Sequence, residues 1–188
     1  MAVNKLKQNK RTDSPWTFKH KFKMLIWDYI WVLFCRWTPK PFNKWRIFWL
    51  KIFGAQINGH VFVHQRSYIQ IPWHIILHDG ACIGDKVVLY SLDIIEIGAN
   101  STIAQESYLC TGSHDFTKDA LPLETKKIQI KQNVFVGARA FIMPGVIVED
   151  GAIVGACSVV YKNVERNAIV AGNPSKTIKY RRYGSVDE

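Results

Sequence analysis

The chain has 188 residues, 48% of them hydrophobic and 21% charged, with a formal net charge of +10. That length suits one domain with a small appendage, and the composition excludes a wholly disordered chain. The charge suggests nucleic acid until it is mapped. Residues 1–53 hold 12 Lys/Arg against two acids and residues 54–188 hold 13 of each, so the main body is no basic platform and no nucleic-acid partner is expected.

In chain order, the first stretch of about 14 residues reads as an unstructured basic tail. Two apolar, aromatic and basic stretches follow, "KFKMLIWDYIWVLFCRW" and "NKWRIFWLKIFG", separated by "TPKP", which breaks a helix. They are predicted as two short helices, with Asn43 as an N-cap and Gly54 just past the second C-terminus. Six of the seven Trp lie here (16, 27, 31, 37, 45 and 49). The apolar run 24–35 begins too late for a signal peptide, contains Asp28, and is too short to span a bilayer. Trp-rich helices cap the open end of a repeat domain. Lys/Arg interleaved with Trp is also the composition of an interfacial helix drawn to anionic lipid. Residues 1–56 are therefore set apart as an N-terminal segment, with membrane contact through 1–53 as a second expectation. The four cysteines (35, 82, 110, 157) form no CxxC pair, which points to free thiols in a reducing, cytoplasmic setting.

From residue 57 the pattern changes. Every sixth residue from Ile130 is aliphatic: Ile130, Val136, Ile142, Val148, Val154, Val160. The period recurs upstream as Ile57, Val63, Ile69, then Ile71, Leu77, Ile83, Leu89, then Ile97, Ile103, Leu109. Its phase slips by two at 69/71 and near 89/97, and it is lost between 109 and 130. A helix cannot use a period of six. A short strand plus a tight turn can, with one side chain per repeat pointing inward, and three repeats close a triangular coil of about 18 residues stacked at about 4.8 Å. On that spacing His60 and His78 are expected to stack as neighbours. Small residues after the aliphatic one ("IG" at 83 and 97, "VG" at 136 and 154) keep the corners tight.

These repeats resemble the hexapeptide-repeat acyltransferases, and the stretch "IPWHIILHDGACIGDKVVLYSLDIIEIGANSTIAQESYLCTGSHDF" is similar to their colanic-acid-type exopolysaccharide O-acetyltransferase branch. The resemblance implies a mainly β fold, a left-handed parallel β-helix over 57–175 with an excursion loop at 115–129 and a C-terminal tail at 176–188. It also implies a homotrimer with active sites between subunits, acetyl-CoA as acyl donor, no metal, and a sugar or glycan hydroxyl as acceptor. "TGSH" at 111–114, followed by the broken register, matches the catalytic coil, so His114 is the expected general base; imidazole suits the role because its unperturbed pKa lies near the working pH.

Carried over residue by residue, the backbone at Gly137, Ala138, Gly155 and Ala156 meets pantetheine, Phe135 takes the aromatic position beside the cofactor, and Lys162, Lys176 and Lys179 approach the phosphates. "AGNPSK" at 171–176 matches the terminal signature. The asparagine that contacts the acceptor in related sugar acetyltransferases is missing from "VVLYSLD", which leaves Ser91 or Asp93 for that task. Three rival readings stand beside this one. A metal hydratase like the γ-class carbonic anhydrases needs three converging histidines. An acyl-cysteine route uses Cys110. An inactive scaffold or membrane-binding module keeps the fold without the chemistry.

Overall fold

A computed structural model of the chain describes residues 4–5 and 14–181. Short strands wind as five coils and a shortened sixth around a triangular axis, and each side of the triangle is a parallel sheet. The first face holds Gln56–Ile57, Ile75–Leu77, Ile95–Ile97, Ile128–Ile130 and Ile147–Val148. The second holds Phe62–Val63, Cys82–Ile83, Thr102–Ile103, Phe135–Val136, Ile153–Val154 and Ala168–Ala171. The third holds Tyr68–Ile69, Val88–Tyr90, Tyr108–Cys110, Phe141–Ile142 and Val159–Val160. Every aliphatic residue of the six-residue series is buried, and all but Ile71, which sits at a corner, pack in one core cluster inside the triangle. Each such side chain contributes on the order of 1.5–3 kcal/mol of transfer free energy, and only stacking supplies the cover.

The early coils are longer than the period suggests. Ile57 pairs with Leu77 and Leu77 with Ile97, a 20-residue coil, whereas Ile130 pairs with Val148, an 18-residue one. The two extra residues sit at the corner between the third and first faces, where Pro72–His74 forms a 3₁₀ turn. An even insertion keeps strand alternation, so the inward set is unchanged. One expectation fails as a result. His60 does not stack on His78; the Gly80 N–H donates to the His60 carbonyl instead, and His78 Nε2 lies 3.0 Å from Glu96 Oε1.

The small residues after the inward aliphatics do what the sequence suggested. A Cβ added at Gly98 would stand 2.5 Å from the Lys131 carbonyl carbon of the next coil, closer than real contacts allow.

Two helices close the first coil. Helix α1 (Phe18–Ile30) starts at the Thr17 cap, whose hydroxyl accepts from the His20 N–H, and continues into a π-helical turn, Trp31–Cys35. Helix α2 (Asn43–Ile52) follows a 3₁₀ turn at Lys40–Phe42. The indole N–H groups of Trp27 and Trp31 donate to the carbonyls of Ile69 (2.7 Å) and Ser67 (3.0 Å), which ties α1 to the coil edge. Arg46 is fully buried without a carboxylate. Its guanidinium donates to Val63, Pro39 and Lys40 carbonyls and to Thr38 Oγ1, so every nitrogen makes at least one hydrogen bond, and burial lowers its pKa. Burial likewise pushes the neighbouring Cys35 thiol up to about 12.

Asn43 is not the expected N-cap. It lies at helical angles, and its side chain bonds the open coil edge, donating to Val61 O and accepting from Val63 N–H. The edge strand offers an unpaired donor and acceptor 18 to 20 residues away, and those outcompete a local cap. Gly54 does end α2, at φ +95.

The basic tail expected at the N-terminus lies outside the described residues, apart from Asn4–Lys5. These pair antiparallel with Glu124 and Thr125. At the other end, Lys176–Tyr180 is not tail but a strand, folded back antiparallel on Ala168–Ala171.

Candidate active site

The chain leaves the third face after Cys110 and makes a hairpin before rejoining the first face. Gly112–His114 pairs antiparallel with Leu123–Thr125. Thr111 fixes the exit. Its buried hydroxyl donates to the Tyr90 carbonyl (2.8 Å) and accepts from the Asp93 N–H (2.9 Å), both from the coil below. Gly112 follows because the chain passes close to Leu92, whose Cδ1 would stand 2.8 Å from an added Cβ. In the loop, buried Asp115 accepts from the Thr117 N–H and hydroxyl and holds the turn.

His114 is exposed, and its Nδ1 lies 2.7 Å from the Leu121 carbonyl. A carbonyl can only accept, so Nδ1 carries a proton, and in the neutral ring the lone pair is on Nε2. Leu121 presents that carbonyl from φ +45, the left-handed region that costs a non-glycine residue on the order of 1 kcal/mol. Nothing in the sequence marks Leu121, because its contribution is made by the backbone and its residue type disfavours the conformation it holds.

Ser91 is fully buried. Its hydroxyl donates to the Ile71 carbonyl (3.0 Å) and accepts from the Ile71 N–H (2.9 Å), so it bridges a corner and offers no surface to an acceptor. Asp93 stays a candidate by position: it is half-buried, beside Thr111 and the hairpin. Cys110 Sγ donates to the Gly112 carbonyl (3.2 Å), and burial raises its pKa, which is the wrong direction for a thiolate nucleophile. Among the described residues no group of three or more His, Cys, Asp or Glu could hold a metal ion.

The positions expected to meet coenzyme A fall on a different vertex. Gly137, Ala138, Gly155 and Ala156 form the corner between the second and third faces, whereas His114 leaves the corner between the third and first. The amides of Gly137 and Gly155 are already spent, donating to Val154 (2.8 Å) and Val170 (2.7 Å) carbonyls. The N–H groups of Ala138 and Ala156 make no backbone hydrogen bond among the described residues. Phe135 is exposed on the second face in register with Ile153. Nearby, Ile153, Ile169, Lys179, Tyr180 and Arg181 line a concavity of about 690 Å³. Lys176 is exposed on the same closing strand. Lys162 is not in this group: it sits at the corner between the third and first faces, its Nζ 5.2 Å from the Tyr161 ring.

Residues 127–162 match the family model of the bacterial transferase hexapeptide, six repeats. The chain is 38% identical over 159 residues to the putative colanic acid biosynthesis acetyltransferase WcaF of Escherichia coli, covering 85% of this chain and 87% of that one. This chain belongs to the hexapeptide-repeat acetyltransferases, in the colanic-acid branch. A putative lipopolysaccharide biosynthesis O-acetyl transferase of Escherichia coli is 30% identical over 117 residues, 56% of this chain and 60% of that one. Among solved structures, a hexapeptide-repeat acetyltransferase of Vibrio cholerae in complex with acetyl coenzyme A superposes with a TM-score of 0.81 at 19% identity, covering 89% of this chain and 91% of that one. A galactoside acetyltransferase in complex with coenzyme A gives 0.80 at 21%, covering 92% and 90%. These two show the fold of the hexapeptide-repeat acetyltransferases, the left-handed parallel β-helix.

Proposed function

We propose that this acetyltransferase moves an acetyl group from acetyl-CoA to a hydroxyl of a sugar or glycan intermediate in exopolysaccharide assembly, with His114 as general base. The observation that carries the reading is the His114–Leu121 hydrogen bond, which puts the proton of the neutral ring on Nδ1 and its lone pair on Nε2 of an exposed side chain. In the step, Nε2 takes the proton as the hydroxyl oxygen attacks the thioester carbonyl. The C–O bond forms, the C–S bond breaks, and the proton passes from the imidazolium to the leaving sulfur, giving coenzyme A as thiol. Ala138 and Ala156 supply the free N–H groups for the pantetheine arm, and Lys176 and Lys179 lie where phosphates would follow the second face.

The same reading includes a homotrimer. His114 and the Ala138/Ala156 edge are different vertices of one triangle, so a site that uses both draws them from two copies. It also includes peripheral contact with an anionic membrane through the N-terminal helices, whose exposed apolar and basic residues support it. No helix among the described residues is long and apolar enough to cross a membrane. The test is thiol release from acetyl-CoA across a panel of sugar and glycan acceptors, with His114→Ala as blank. Release by the variant at the wild-type rate would remove His114 from the role.

A further inference from the structure

Helix α1 and the π-helical turn that continues it are apolar on two opposite sides. One side carries Trp27 and Trp31 into the solenoid end. The other carries Phe18, Phe22, Leu25, Tyr29 and Leu33, all exposed, at steps of four, three, four and four residues, which is one helical stripe. Residues 14–53 also expose seven Lys/Arg (19, 21, 23, 36, 40, 44, 51) against one acid, Asp28. A second copy would bring the same basic face to itself, and like charge opposes that pairing. An anionic occupant is favoured instead, and the mix of Phe, Tyr, Leu and Lys is what a helix lying at a bilayer interface requires.

Beside this stripe, between α1, the π-helical turn and the first coil, lies a cavity of about 320 Å³. Trp27, Trp31 and Tyr68 form its walls; Asp28, Arg36 and Arg66 supply charge. Val32 belongs to both features, lining the cavity and standing exposed beside the stripe, so the cavity opens at the edge of the apolar face. The two guanidiniums differ. Arg66 is held by the Asp85 carboxylate through two nitrogens, whereas the Arg36 side chain is exposed and makes no ion pair among the described residues. Asp28 is half-buried, and its carboxylate makes no hydrogen bond or ion pair among the described residues.

We propose that this cavity receives the phosphate of a membrane lipid, with the α1 stripe lying on the bilayer and Arg36 meeting the anion. The proposal rests on the membrane contact proposed above and adds a site to it. Contact through the stripe alone is diffuse, whereas a cavity holding one free guanidinium and one carboxylate discriminates by headgroup size and charge. A phosphate monoester is small enough to enter and charged enough to prefer Arg36 to water.

The test uses the full chain and co-sedimentation with phosphatidylcholine vesicles that carry either phosphatidic acid or phosphatidylserine at matched surface charge. Wild type is expected to bind the phosphatidic acid vesicles more tightly. Arg36→Gln should lose that preference, a fall of about fivefold, and Asp28→Asn should increase it, because a like charge has been removed. The triple variant Phe22→Ser, Leu25→Ser, Tyr29→Ser should lose binding to both vesicles with an unchanged unfolding midpoint, since none of the three is in the core. Equal binding of wild type to both vesicles, or indifference of the preference to Arg36 and Asp28, would overturn the cavity. Unaltered binding by the triple variant would overturn the apolar face, and a drop in its oligomer mass without vesicles would give that face to a second copy. Thermal stabilisation of wild type by inorganic phosphate, lost in Arg36→Gln, would reassign the cavity to a soluble anion. His114→Ala should lower transfer by about two orders of magnitude or more and keep the vesicle preference; transfer at the wild-type rate in that variant would sink the catalytic reading and leave the lipid site standing.

Discussion

At the corners between first and second faces and between second and third, the inward column advances by six residues every time, from Ile57 to Val63 to Ile69 and, at the far end, from Val148 to Val154 to Val160. At the corner between third and first faces no such rule holds. Ile69 to Leu77 and Leu89 to Ile97 take eight residues, Leu109 to Ile130 twenty-one, Ile142 to Val148 six, and Val160 to Val164 four. Two vertices are repeated as structure, and the third is free to vary because its coils need only rejoin the first face in phase. His114, Asp93 and the hairpin all belong to that variable vertex. A solenoid confined to regular corners would fold as well and would have nowhere to hold a base.

The largest expected effect is therefore at the variable vertex, with no cost to the fold. His114→Ala should lower turnover by about two orders of magnitude or more while the unfolding midpoint stays at the wild-type value. Thiol release and thermal unfolding on the same preparation check both halves.

At a regular vertex the effect should reverse in kind. Gly98→Val has no room, since even a Cβ would press on the Lys131 carbonyl, and overpacking of this sort costs about 1–3 kcal/mol. Urea unfolding should show the loss, and transfer by the folded fraction should be nearly unchanged. A stable Gly98→Val protein would mean that the coils can part at that corner, and the distinction between the vertices would weaken.

Leu121 tests whether the variable vertex is built or merely loose. Leu121→Gly accepts a positive φ and keeps the carbonyl on His114 Nδ1, so turnover should stay within a few-fold of wild type. Leu121→Pro fixes φ near −65 and redirects the carbonyl, so turnover should fall by about tenfold or more as the imidazole loses its fixed tautomer. Equal turnover in the two variants would make the Leu121 contact incidental.

The regular part of the molecule was legible in the sequence because its physics is periodic: one inward side chain per six residues is a property of residue type, and the series from Ile130 to Val160 reads off directly. The loss of register after Leu109 marked the hairpin, and "TGSH" marked its exit. Other features were hidden because they are relations between distant backbone atoms. The Leu121 carbonyl and the Asn43 bridge to Val61 and Val63 leave no trace in composition. Ser91 stood as a candidate because it falls in the stretch where related sugar acetyltransferases carry the acceptor-binding asparagine; the 20-residue coil turns it inward to Ile71. The two-residue slips were visible in the sequence, but their common location at one vertex needed the register.

The smallest expected effect lies on a flat face, away from any vertex. Glu96 on the first face joins three coils, accepting from Gln129 Nε2 at 2.9 Å and lying 3.0 Å from His78 Nε2. The Gln129 hydrogen bond, opposed by burial and aided by His78, holds its carboxyl below the ordinary range. A carboxyl depressed in the folded state adds stability that is present above the unfolded value, about 4.3, and is lost as pH falls through the folded value. Glu96→Gln should therefore cost under about 1 kcal/mol at pH 7, because the group is partly exposed, and nothing once the wild-type carboxyl is protonated. Urea unfolding of both proteins along a falling pH series checks it: the two stabilities should converge in acid, with turnover at neutral pH the same in both. A gap that persisted in acid would mean that the face is held by the shape of Glu96 rather than by its charge.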